Sequence, residues 1–298
     1  MTSRPEPAPE ADTAPGPGDP AAVGGPTTRG GAADLPEGLR RLSSPWQPPG
    51  LKGTLTIVVG AAAVAWSAAG SGFSPSALAE GAPAMGSFLS RLWPPDFGKV
   101  ATIVELLVET LQMAVLGTLL GALLSLLLSF AAAENIAPRP VYLAARFVLN
   151  VLRSVPELIF ALMFVSAVGL GPFAGILAIT LGSVGTIAKV YAEAIESVDP
   201  GPVTALRAAG ASSGQVITFG MLPQAAPMLT SYTLLLFEGN VRGATILGLV
   251  GAGGIGLELT TALRLYDFGH LCAIVIGIVL LVTVIDRLSA LVRARLTA

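Results

Sequence analysis

The chain has 298 residues, 53% of them hydrophobic and only 12% charged, against roughly 25% charged in soluble globular domains, and its mean hydropathy is +0.73. Its 17 Lys and Arg against 19 Asp and Glu leave a net charge of -2, with no basic stripe for nucleic acid. One cysteine, Cys272, and one histidine, His270, can build neither a disulfide framework nor a Cys/His metal site within the chain. The class that remains is an all-α polytopic membrane protein in a lipid bilayer.

In chain order, residues 1–50 are rich in Pro, Gly, Ala and Thr with few large apolar side chains, a composition predicting a disordered tail. They lack the pattern of a cleaved signal peptide. The first apolar run, 53–70, follows Arg40, Arg41 and Lys52, which places the N-terminus in the cytoplasm. Residues 51–100 are read as this first transmembrane helix and an extracytoplasmic connector, in which Trp93, Pro94, Pro95 and Phe97 stand where an interfacial anchor would.

Residues 101–298 form the main transmembrane domain. Its clearest span, 111–133, has no formal charge and crosses about 30 Å of hydrocarbon at about 1.5 Å per residue. Runs 141–168 and 173–195, broken by Gly169-Leu170-Gly171-Pro172, predict a helical hairpin. Asp199-Pro200-Gly201-Pro202 ends that pattern, and 203–224, with Arg207 its only charge, is too polar to span. Runs 226–249 and 271–285 follow, and Arg287, Arg293 and Arg295 close the chain, holding the C-terminus inside. The expectation is about six transmembrane helices, both termini cytoplasmic, with the polar segment on the cytoplasmic face.

That segment reads Thr204-Ala205-Leu206-Arg207-Ala208-Ala209-Gly210-Ala211-Ser212 and then Met221-Leu222-Pro223. It resembles the EAA loop of ABC importer permeases: a short helix, a glycine turn and a second short helix that docks into a groove on a separate ATPase. Small Ala205, Ala208, Ala209 and Gly210 suit close packing in such a groove, and Pro223 suits the first turn of the next span. Thr204 stands where the family pattern usually has glutamate. A bland amphipathic surface helix is the alternative. Four further strings occur in the expected order: Arg153-Ser154-Val155-Pro156-Glu157-Leu158, Val168-Gly169-Leu170-Gly171-Pro172, Phe237-Glu238-Gly239-Asn240-Val241-Arg242 and Gly251-Ala252-Gly253-Gly254-Ile255-Gly256. Together they resemble the phosphonate-type ABC importer permease family over residues 89–295. The resemblance implies a type I importer fold with a coupling helix in loop 203–223, where Thr204, Ala205, Arg207, Ala208, Ala209, Gly210, Leu222 and Pro223 meet the ATPase. It also implies a second copy of this chain, two copies of the ATPase, and an extracytoplasmic binding protein for phosphonate or another oxyanion such as phosphate or phosphite. No GxxxxGK[ST] string occurs, so no cofactor is expected in this chain, with ATP and Mg on the partner ATPase.

Ionisable residues at membrane depth cost about 2.5 to 3.5 kcal/mol each on insertion scales. Glu238 and Arg242, four residues apart on one helix face, can neutralise each other; either Arg242 lines an anion pathway with Asn240 beside it, or the pair only fixes packing. Arg153 and Glu157 share the same spacing, and Ser154-Val155-Pro156-Glu157 reads as a capping box. A helix restarting at Ser154 would offer free N–H groups to an oxyanion; a capped kink is the alternative. Gly251, Gly253, Gly254 and Gly256 match GxGxxG without a strand before them, so a tight re-entrant turn is expected rather than a dinucleotide site. Gly117 and Gly121 form a GxxxG that Ala114, Ser125 and Ser129 extend, serving either an oligomer or packing inside one subunit. His270 and Cys272 read as packing residues.

Overall fold

The computed structural model describes residues 50–296; the expected tail lies outside them apart from Gly50. Contacts divide the chain into two units at Pro75. The first contains helix α1, Leu51–Gly70, whose Ala- and Val-rich surface buries none of its residues. The second opens with α2, Pro75–Leu92, so the connector contains a helix that its low hydropathy concealed. Phe88 of α2 meets Phe268 edge-on at 5.5 Å.

α3, Val100–Ala132, is an unbroken apolar helix of 33 residues, about 50 Å long. α4, Arg139–Ser154, begins with Pro140 in its first turn and is amphipathic; α5, Glu157–Val168, follows after a bend of 86°. The expected single run 141–168 is therefore broken. Pro156 has no N–H for a continuing helix, and it drives Val155 into the extended region at φ -90°, ψ 119°. Gly169 and Gly171 turn the chain into α6, Pro172–Glu196, which begins on proline. α7 is Pro200–Ala208. A helical turn at Ser213–Gln215 and a π-helical turn at Val216–Met221 lead without interruption into α8, Leu222–Leu247. α9, Ile255–Arg264, and α10, Phe268–Leu296, complete the order. Among the described residues five helices are long and apolar enough to cross a membrane, and the bent α4–α5 pair raises that to six; no strand occurs among them.

α6 is the centre of the second unit, packing against α3, α4, α5 and α8. Small residues make this possible. A Cβ on Gly117 of α3 would lie 2.6 Å from Ile179 Cγ2, and one on Gly121 2.6 Å from Ser183 Cβ. Ala114, Ser125 and Ser129 of the same seam are buried, so the GxxxG stripe is occupied by α6 of its own chain, with helix backbones in close approach.

Candidate functional site

At one end of the second unit α7 is held on a local frame. Asp199 caps it by accepting from Gly201 N at 2.9 Å, with Pro200 in the first turn. Its C-terminus closes through Ala211 N to Leu206 O and Gly210 N to Arg207 O, a Schellman pairing that requires a left-handed residue, here Gly210 at φ +80°. Ser212 and Gln215 then form a reciprocal capping box. Only Val203 of α7 is buried; Thr204, Ala205, Arg207, Ala208, Ala209 and Gly210 face outward. The Thr204 hydroxyl donates to Pro200 O at 2.8 Å. The second short helix expected after the glycine is not separate: it runs through the π turn, where Leu222 N donates to Ile217 O, into the span beginning at Leu222 and Pro223. The extra residue in that turn accommodates Pro223, which has no N–H to donate.

Two residues that carried no signal in the sequence tie this end together. The Gln224 carboxamide accepts from Asp199 N at 3.0 Å and donates to Gly220 O at 2.6 Å, joining α7 to α8. Arg146 donates to both Glu196 carboxylate oxygens, at 3.0 and 3.1 Å, and to Ala132 O at 3.1 Å, joining α4 to the ends of α6 and α3. Neither lies in a motif, and apart from Gly220 their partners are distant in sequence.

In the interior, Asn240 Nδ2 donates to Thr118 Oγ1 at 2.8 Å and to Ser183 Oγ at 3.0 Å, all three buried. Next to this layer a cavity of about 230 Å³ is lined by Arg153, Pro156, Glu157, Ser183, Thr186 and Asn240, among others. The structure thus brings Arg153, Glu157 and Asn240 together. Glu157 opens α5, whose 12 residues set it about 18 Å from the Gly169 turn. The capping box expected at Ser154 does not form: Ser154 ends α4, its hydroxyl reaching Asn150 O and Val151 O, and the new helix starts at Glu157 without a side-chain cap. Arg153 and Glu157 consequently sit on opposite sides of a bend rather than on one helix face.

Glu238 and Arg242 are also corrected. They make no ion pair with each other. The Glu238 carboxylate, buried, accepts from Arg293 Nη2 of α10, and Arg242 Nη2 lies 3.5 Å from Asp286 Oδ1 while its Nε donates to Glu238 O at 3.2 Å. Long side chains reach the antiparallel neighbour more directly than one another along α8. These two pairs fasten α10 to α8, and neither residue lines the cavity.

At the other end, Gly251 to Gly254 form a buried turn. Gly253 and Gly254 have φ +86° and +72°, and a Cβ on Gly253 would lie 2.7 Å from Pro172 N, one on Gly254 2.6 Å from Thr110 Oγ1 and one on Gly256 2.1 Å from Thr245 O. The turn docks on the α5–α6 connection through Gly171 N to Gly251 O at 3.0 Å. The N–H groups that begin α9 are taken by α3: Gly254 N donates to Glu109 Oε1 and Ile255 N to Thr110 Oγ1, each at 2.9 Å. Two of the N–H donors at the start of α9 are therefore already engaged within the protein. His270 is buried with Nε2 2.9 Å from Glu258 Oε1.

An all-helical chain with a broken span, a polar cavity at that break and a capped helix projecting from one end can carry a polar solute between helices. Residues 100–298 match the family described as binding-protein-dependent transport system inner membrane component. The chain belongs to this family. It is a permease component of an ABC importer, a multi-pass inner membrane protein and not an enzyme. Similar proteins include the phosphite transport system permease protein PtxC of Stutzerimonas stutzeri, 42% identical over 72% of this chain and 79% of that protein. The phosphate-import permease protein PhnE of Mycolicibacterium smegmatis is 42% identical over 72% of this chain and 40% of that protein. Among solved structures, an inward-facing form of the MetNI methionine ABC transporter superposes with a TM-score of 0.59 at 24% identity, over 66% of this chain and 96% of that one, which speaks to the fold alone.

Proposed function

We propose that this permease forms the transmembrane pathway for a small phosphorus oxyanion: phosphonate or, by the same machine, inorganic phosphate or phosphite. The observation that carries the reading is the Arg153 guanidinium, free of any ion pair among the described residues, lining a polar cavity beside Glu157 and Asn240. A guanidinium without an ion pair, facing a polar cavity, is a ready partner for an oxyanion, which it can bind bidentately. Likeness to proteins named for phosphite transport and phosphate import supports the substrate class. An extracytoplasmic binding protein delivers the anion on the side of the glycine turn, and both termini lie in the cytoplasm with α7.

Energy arrives through α7. Its exposed face of Thr204, Ala205, Arg207, Ala208 and Ala209 is small enough to enter a groove on an ATPase, and Leu222 and Pro223 continue the movement into α8 through Gln224. One chain carries one such helix, so two copies of the permease with two of the ATPase complete the engine. Glu238 and Arg242 act by fastening α10 rather than by touching the anion. Gly251, Gly253, Gly254 and Gly256 close the outer end against Glu109 and Thr110.

The test is ATP-driven uptake of radiolabelled phosphite, methylphosphonate and phosphate by proteoliposomes containing permease, ATPase and binding protein. Uptake of at least one, reduced about tenfold or more by Arg153→Gln, is expected. Uptake of none, or uptake indifferent to Arg153, overturns the reading.

A further inference from the structure

Resting on the pathway reading above, we propose that Glu157 selects the anion: its carboxylate accepts a hydrogen bond from a P–OH group, so the cavity passes oxyanions that still carry a proton and turns away sulfate. The inventory of groups in the cavity leads there. Asn240 Nδ2 donates to Thr118 and Ser183, and the Thr186 hydroxyl donates to Gly182 O at 3.1 Å. These neutral donors are engaged within the protein. Besides the Ser183 hydroxyl, the lining holds one cationic donor fork, Arg153, and one acidic acceptor, Glu157, with no hydrogen bond or ion pair to either side chain among the described residues.

The acid is held in place. A Cβ on Gly182 of α6 would lie 3.1 Å from Glu157 Cγ, and one on Gly243 of α8 3.4 Å from Glu157 Oε2; the two glycines form a slot that side chains would fill. Oε1 is buried without a partner, an arrangement that a protein interior does not keep for packing alone. A cation and an unengaged carboxylate facing one cavity are complementary to a ligand that has an anionic oxygen for Arg153 and a hydroxyl donor for Glu157. Hydrogenphosphate, and phosphite or phosphonate as monoanions, have both. Sulfate offers acceptors only and sets an oxygen against a carboxylate. A phosphodiester lipid headgroup lacks the hydroxyl as well.

Sites built to hydrogen-bond a hydroxyl reject analogues lacking it strongly; in a cavity open to water the discrimination expected is about tenfold or more. The experiment uses the permease–ATPase complex in nanodiscs without binding protein, so that only the permease selects. The readout is broadening of the ³¹P line of inorganic phosphate. In the wild type the broadening should be relieved by excess methylphosphonate but not by equal sulfate or dimethyl phosphate. Arg153→Gln should abolish it, and Glu157→Gln, which keeps an acceptor and adds a donor, should let sulfate compete. Sulfate competing equally in the wild type, which needs no variant, overturns the selection, as does unchanged selectivity in a correctly assembled Glu157→Gln complex. Broadening that ignores Arg153 overturns the pathway reading itself, and the proposal with it.

Discussion

The charges of the second unit show how side-chain reach decides a role. Glu238 and Arg242 share a face of α8, yet each is claimed by α10, through Arg293 and Asp286. Spacing along one helix identifies neighbours but not competitors on the next helix. Removing one member of a buried pair costs about 3 to 5 kcal/mol; because the Arg293 side chain is 32% exposed, about 1 to 3 kcal/mol is expected here for Glu238→Gln or Arg293→Met. Thermal unfolding in detergent should give a coupled cycle for Glu238 with Arg293 and near-additive effects for Glu238 with Arg242; the reverse pattern would reject the assignment. Glu109, Arg146 and Gln224 escaped sequence reading for a related reason. Their partners lie up to 145 residues away, and nothing local marks them.

Elements were legible where backbone chemistry punctuates the chain. Pro156, Pro172, Pro200 and Gly210 mark the α4–α5 break, two helix starts and one helix end because each fixes or frees a dihedral whatever its surroundings. The angle of the first break was not legible, since α4 and α5 each pack against α6, and the low hydropathy of the connector hid its helix. Likewise the small-residue stripe of α3 announces a close helix approach without naming the partner. The close contacts around the glycine turn give a sharp expectation. Gly256→Ala places a methyl 2.1 Å from Thr245 O and should destabilise by about 1 to 3 kcal/mol or more, whereas Gly239→Ala, with nothing within 4 Å, should be neutral or stabilise by about 0.5 to 1 kcal/mol. Thermal melting of the two variants side by side checks this; equal effects would mean that the turn is not packed as described.

At the scale of the whole second unit, the polar cavity at the α4–α5 bend and the exposed helix α7 are joined by α6 and α8, so under the proposed function movement of α7 would have a direct mechanical route to the cavity. Because α6 already fills the GxxxG seam, the proposed pairing of two permeases would use other surfaces. Native mass measurement of the assembled importer should show permease and ATPase in equal numbers; a single permease per ATPase pair, or a different second permease, would refute the twofold engine. The coupling itself is tested at Gly210. Its hydrogen points into open space at φ +80°, so Gly210→Trp adds about 1 to 2 kcal/mol of backbone strain and projects a ring from the exposed end of α7 without disturbing the interior. Substrate-stimulated ATP hydrolysis, measured together with oxyanion uptake in proteoliposomes, should be lost in Gly210→Trp while the permease inserts and melts much as the wild type; full stimulation and uptake in that variant would contradict energy transfer through α7.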